Sequence, residues 1–231
     1  MLNDDERAKV KAAVRAAEGR TRGELYCVIA AESSDYRETP FLWAGLAALA
    51  APAILLVAGV EVSVPDAFAP WTAAQAGAAV ERAVRGALTA TLVLQAILFV
   101  VVAAIGSLGP VRIFMTPRSV KRDRARRHAE ELFLARNLHQ TRERTGVLIF
   151  VSEAEHAAEI IADEGIAAVV PQAEWDGAVA ALVSQARAGR LGDGLTEAVT
   201  LVADILARHF PADATDNPNE LPDAVIEIPR L

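Results

Sequence analysis

The chain has 231 residues, of which 53% are hydrophobic but only 5% aromatic, so its apolar excess is built from Ala, Val and Leu, and its lone Cys27 excludes an intramolecular disulfide. The formal net charge of −7 hides a segregation: residues 41–60 and 88–110 carry no charge, 111–142 carry nine basic and three acidic groups, and 143–231 carry five basic and sixteen acidic ones. That profile argues against an ordinary soluble enzyme core, and the opening Met-Leu-Asn-Asp-Asp-Glu lacks the basic and apolar regions of a cleavable signal peptide, so none is expected.

In chain order, residues 3–18 read as a helix, because Asn3 and Glu6 form a capping-box pair and Val10, Ala13, Val14 and Ala17 share one face. Gly23 ends the connection that follows. Residues 24–31 (ELYCVIAA) are apolar at both alternating positions, the pattern of a strand covered on both sides, and Cys27 within it is expected to be a buried thiol.

Residues 41–60 (FLWAGLAALAAPAILLVAGV) and 88–108 (LTATLVLQAILFVVVAAIGSL) carry no charge and lack a polar stripe. At 1.5 Å per residue each helix would span about 30 Å, the thickness of the hydrocarbon layer. They are predicted to form a transmembrane hairpin. Pro52 is expected to kink the first helix, a feature that bilayers accept when a neighbouring group takes up the freed carbonyl. Trp43 and Trp71 are placed as interfacial anchors. Residues 61–87 form an external loop with a short Ala-rich helix over 72–85. Arg112, Arg118, Lys121, Arg122, Arg124, Arg126 and Arg127 follow the second span, whereas the loop offers Arg82 and Arg85. The positive-inside rule then predicts a multi-pass protein of the inner (cytoplasmic) membrane with both termini in the cytoplasm.

After the hairpin, Thr116 and Pro117 read as the cap and first turn of an amphipathic helix bearing Ala125, Ala129, Leu132, Phe133 and Leu138. Its early basic residues, Arg118, Lys121, Arg122 and Arg124, are the expected contact with anionic lipid. Residues 145–152 (TGVLIFVS) and 157–162 (AAEIIA) are predicted to pair as a β-hairpin across Glu153 to His156. Two helices follow, one carrying Trp175, Val179, Leu182, Val183 and Ala186, the other Leu195, Val199, Val202, Leu206 and Phe210. The glycine-bearing stretch 189–194 is read as the connection between them. From Pro211 to Leu231 the chain is acidic and is expected to be disordered, with AVIEI as the one segment able to pair. The expected organisation is one composite cytoplasmic domain, residues 1–37 and 111–210, split by the hairpin.

The order of a basic helix, a Gly-Val-Leu-Ile-Phe strand, an Ile-Ile-Ala-Asp-x-Gly-Ile strand at 160–166, the acidic-Trp pair Glu174-Trp175 and a closing His209-Phe210-Pro211 resembles the TPM domain family, in its bacterial membrane-protein branch. The resemblance covers residues 1–35 and 118–211. It implies an α/β sandwich, a short mixed sheet with helices on both faces. Relatives are linked to photosystem repair, acid phosphatase activity and calcium binding.

Asp163 and Glu164, where the third strand ends, Asp193 in Gly192-Asp193-Gly194, and Glu32 after the first strand are oxygen donors suited to calcium or another divalent cation. A solvated turn and a helix cap are the bland alternatives. No EF-hand order, zinc spacing or nucleophile elbow occurs. Glu155, His156 and Glu159 make the densest polar cluster and read as a surface turn. The basic run lacks interleaved aromatics, so nucleic acid is not an expected partner. The leading expectation is a membrane-tethered binding or scaffolding module with an unidentified protein partner. The alternative is a metal-dependent phosphate-ester hydrolase.

Overall fold

The computed structural model describes residues 2–59, 72–141, 143–212 and 221–230, with the backbone alone at 73–76. The chain divides into two units, residues 1–35 with 117–231, and residues 36–116.

The first unit is an α/β sandwich. Helix α1 (Asp4–Glu18) opens on the expected capping box, with the Glu6 amide donating to Asn3 Oδ1 and the Asn3 amide to Glu6 Oε2, each at 2.8 Å. Strands β1 (Glu24–Ala30) and β2 (Gly146–Ser152) pair in parallel from Glu24↔Gly146 to Ala30↔Ser152, and all seven residues of each are buried. Strand β3 (Ala157–Ala162) returns antiparallel to β2, as the hairpin reading expects. With a short strand β4 (Ile226–Ile228) beside β1, the order is β3-β2-β1-β4, a mixed four-stranded sheet.

Alternation along the strands sorts the core into two layers. Leu25, Cys27, Ile29, Val147, Ile149, Val151 and Ile160 face α1, α7 (Asp176–Arg187) and α8 (Leu191–His209). Tyr26, Val28, Leu148 and Phe150 face Ala125, Ala129 and Phe133 of α5 (Arg118–Ala135). Each large side chain so buried contributes about 1.5–3 kcal/mol. Burial pushes the Cys27 thiol up to about 12, with the Glu18 charge adding to it, so this cysteine is an inert core residue.

Three local readings need correction. Helix α5 starts at Arg118 after Pro117 at the cap position, and no side chain caps it. Thr116 is turned the other way, its hydroxyl donating to the Arg112 carbonyl at 2.9 Å. Helix α8 begins at Leu191, so Gly192, Asp193 and Gly194 lie in its first turn and do not form a linker. The glycines are there for packing: a Cβ on Gly192 would fall 2.7 Å from Glu6 Cγ, and one on Gly194 would fall 2.7 Å from Gln185 Cβ.

The third correction concerns the tail, expected to be disordered over 211–231 apart from AVIEI, the one segment able to pair, which does pair. Residues 226–228 form β4 (Ile226–Ile228), parallel to β1 through Val28↔Ile226, Ile29↔Glu227 and Ala30↔Ile228. Residues 213–220 lie outside the described ones. The tail's acidic composition, which argued for disorder, is what fastens it. Arg7 Nε meets Glu227 at 2.8 Å, Arg15 Nε meets Asp223 at 2.5 Å, and Arg230 Nε meets Glu32 at 3.0 Å. The Leu221 amide donates to Glu24 Oε2 at 3.2 Å.

The second unit is a pair of antiparallel helices, α2 (Glu38–Val57) and α3 (Ala73–Gly106), closed by the short α4 (Gly109–Met115). Phe41 stacks on Phe99 with ring centroids 6.5 Å apart. The Ala-rich helix expected within the 61–87 loop is continuous with the second apolar segment. With 34 residues, α3 runs to about 50 Å, and its charged residues Glu81, Arg82 and Arg85 all lie in its first half. Trp71 lies outside the described residues. Trp43 donates to the Met115 carbonyl at 3.0 Å. Both α2 and α3 are long and apolar enough to cross a membrane.

Pro52, inside α2, has no N–H to offer the carbonyl of Ala48, four residues earlier. Gln95, the one amide side chain in the uncharged part of α3, donates to that carbonyl at 3.1 Å. Thr89, Thr91 and Ser107 return their hydroxyls to carbonyls four residues back. These four polar side chains are thus satisfied within the unit.

Two predictions follow from these contacts. Gln95→Leu orphans the Ala48 carbonyl and should cost the helix pair about 1 kcal/mol in detergent-solubilised thermal unfolding. Adding Pro52→Ala should restore it, because the new amide at 52 takes the carbonyl; no recovery in the double variant would remove the assignment. The other concerns Glu18, whose carboxyl is pushed from 4.5 up to about 8 by burial first and then by Glu24 and Asp223. The folded chain therefore keeps a proton that the unfolded chain releases, so this group's contribution is full below pH 4.5 and is lost as pH rises toward 8. Glu18→Gln keeps a donor toward Asp223 without the charge. Its stability relative to the wild type should rise by about 1 kcal/mol per pH unit across that window, read by urea unfolding at several pH values; a difference independent of pH would refute the protonation.

Candidate functional site

In sheets with parallel strands, loops at the carboxyl ends of the strands are the usual place for a ligand. In this protein those are residues 31–35 after β1 and the turn 153–156 after β2. The pairing runs on past the strands, with the Glu153 amide donating to Ala30 O and the Ala154 amide to Ala31 O, both at 3.0 Å. Glu155 turns inward and is buried, its Oε1 accepting from the Ser33 amide at 2.9 Å and its Oε2 from the Ser152 hydroxyl. This glutamate ties the two strand ends together. His156 closes the turn at a φ of 49° and projects outward. Arg124 reaches across to donate to Ser34 Oγ at 2.9 Å.

Beside this turn a groove of about 670 Å³ crosses the β3 edge of the sheet. One wall is the start of α5, with Arg118, Lys121 and Arg122. The other is α7, with Val179, Val183 and Arg187; Ala157, Ala158 and Glu159 lie at the bottom. Arg118, Arg122 and Arg187 are exposed and Lys121 is half-buried. None of the four makes an ion pair or side-chain hydrogen bond among the described residues, whereas Arg126 of the same helix pairs with Glu130 at 2.9 Å. Burial pushes the Glu159 carboxyl above its usual range, with Glu130 adding to it and Arg126 and Arg122 opposing. With Glu155 held inward, the groove has a surplus of positive charge. It is shaped and charged to hold an anion.

The four carboxylates expected to bind a cation are not brought together. Asp163 is buried as the cap of α6 (Glu164–Ala167), its Oδ1 accepting from the Glu164 amide at 2.7 Å with Arg144 Nη2 at 3.5 Å. Glu164 is exposed and meets Arg144 Nη1 at 3.1 Å. Both stand at the β2 start, since the Asp163 amide donates to Gly146 O. Glu32 follows the β1 end, about 20 Å away along the parallel pair, and is held by Arg230. Asp193 is exposed on the first turn of α8. Among the described residues no group of three or more His, Cys, Asp or Glu is placed to hold a metal ion. A hydrolytic metal centre built from this set has no common point.

Sequence reasoning took the α5 cations as a topology signal and a contact for anionic lipid, and Glu155, His156 and Glu159 as a surface turn. It passed over Arg187, because nothing in the spacing of α7 says that its last turn faces the β3 edge. The one available signal was the turn's own density of ionisable groups beside a basic helix.

Residues 108–205 match the TPM domain. The fold is similar to the NMR structure of the BA42 protein from the psychrophilic bacterium Bizionia argentinensis, with a TM-score of 0.54 over 98% of this chain and 95% of that one, at 18% identity. No curated protein matches the chain. The matched stretch runs from just before α4 through most of α8.

Proposed function

We propose that this chain is a membrane-anchored binding module, in which the helix pair α2 and α3 holds the protein in the bilayer and the α/β unit takes an anionic ligand in the groove between α5 and α7. The observation that carries the anchoring is the apolar surface of the pair. Leu46, Leu49, Ile54, Leu56 and Val57 of α2 and Leu92, Ile97, Val100 and Ile105 of α3 are all exposed. A contiguous surface of this size is costly in water and at home in hydrocarbon. The satisfied polar groups of both helices support the same reading, since lipid offers no hydrogen bonds.

The basic residues that follow α3 support a cytoplasmic position for the α/β unit at the inner membrane, with both termini on that side. Binding, and through it scaffolding, is favoured over catalysis by what the groove contains: cations that make no ion pair among the described residues and a buried glutamate already engaged by two serines.

Carbonate washing of membranes should leave the full-length protein in the pellet, and reporter domains at the two ends should both score as cytoplasmic. A reporter inserted after Gly59 should score as external. Release into the supernatant, or termini that report opposite sides, would falsify the anchoring.

A further inference from the structure

The groove's cations come from two helices. Arg118, Lys121 and Arg122 fall within the first turns of α5, and Arg187 stands in the last turn of α7. Arg124, which the sequence reading groups with the α5 cations as a lipid contact, donates to Ser34 instead and does not line the groove. Like charges gathered at one place repel, so the arrangement favours an anion between the two walls. The α7 wall is not purely cationic. Val179, Val183 and Arg187 are spaced by four and form one stripe, with two half-buried valines leading to an exposed guanidinium. An occupant that is anionic at one point and apolar next to it fits this stripe better than a free inorganic anion does.

The two connections to the helix pair leave the α/β unit beside the same groove. Residues 31–35 lead away from β1, and there the Ser33 amide meets Glu155 and the Ser34 hydroxyl meets Arg124. The chain re-enters the unit at Pro117, one residue before Arg118. Glu155 and Arg118 both line the groove. Whatever anchors this unit through those two connections holds it by the end on which the groove opens.

We propose that the groove takes the headgroup of an anionic membrane phospholipid, with its phosphate among Arg118, Lys121, Arg122 and Arg187 and its glycerol end against Val179 and Val183. This rests on the reading of the groove as an anion site on a membrane-anchored protein and names the ligand. Basic residues next to a span attract anionic lipid through charge alone. The site differs from such a contact in needing Arg187, which lies 65 residues further along the chain than Arg122 and on another helix.

The test counts lipids retained by the full-length protein in uncharged detergent, by native mass spectrometry, after addition of phosphatidylglycerol or of phosphatidylcholine with the same acyl chains. Phosphatidylglycerol should be retained in preference, and less of it as salt rises. Lys121→Glu and Arg187→Glu should each lower that retention roughly tenfold, with circular dichroism unchanged, while Arg187→Lys keeps most of it and Arg85→Glu, on α3, leaves it as it was. Equal retention of the two lipids would overturn the proposal. So would a preference that Lys121→Glu removes and Arg187→Glu leaves intact, since the contact would then belong to the basic helix alone. Calorimetric titration with inorganic phosphate and with a Glu-rich peptide separates the two readings: binding of either without any lipid preference overturns the headgroup and leaves the anion site standing. If lipid, phosphate and peptide all fail, the groove is not an anion site and both readings fall.

Discussion

The parallel pairing of β1 with β2 is the constraint on which the rest of the structure depends. Residues 24–30 and 146–152 lie side by side although more than a hundred residues separate them, and all fourteen are buried. A strand pair with no exposed face must be covered on both sides, so α1, α7 and α8 occupy one face and α5 the other. The pairing also dictates what the intervening chain can do. Whatever leaves after β1 has to come back before α5, and the helix pair α2 and α3 does so as a closed excursion. Thr39 and Thr116, near its two ends, meet through their hydroxyls at 3.3 Å.

What was legible in the residues follows from how local each signal is. The capping box of Asn3 and Glu6 involves groups three residues apart, and it forms as read. Strands β1 and β2 announce themselves because doubly covered strands have no polar positions to confuse the pattern. The tail was read only in part: AVIEI does pair, as expected of it, but the disorder expected around it is not found where Asp223 and Arg230 are held. Three residues of Ile-Glu-Ile carry too little periodicity to outweigh their acidic surroundings, and the arginines that hold them, Arg7 and Arg15, lie more than two hundred residues earlier. The first turn of α8 was misread because glycine next to glycine suggests a linker. Here the same residues are excluded from bearing side chains by Glu6 and Gln185.

The site was less legible than the fold, for a reason of geometry. Carboxylates at strand ends resemble one another in sequence, yet β3 runs antiparallel to its neighbour, so the Asp163 end of β3 and the Glu32 end of β1 are at opposite ends of the sheet. Distance along a strand pair, which no spacing rule reports, separates them. The groove has the converse property. Arg118, Glu159 and Arg187 come from elements that look unrelated in the chain, and only the position of β3 at the sheet edge makes them neighbours.

The basic segment illustrates how one composition can serve two demands without conflict. Fixing topology requires only that positive charge stand close to the cytoplasmic end of a span, and it is indifferent to which side chains pair with what. Within α5, however, the charges are sorted. Arg126 pairs with Glu130, and Arg124 donates to Ser34, while Arg118, Lys121 and Arg122 line the groove and make no ion pair among the described residues. A helix selected for topology alone gains nothing from setting these cations opposite Arg187, which comes from a helix on the other face of the sheet. Gathering such charge around a groove is instead what a site for an anionic ligand requires, because the occupant then supplies the missing counter-charge.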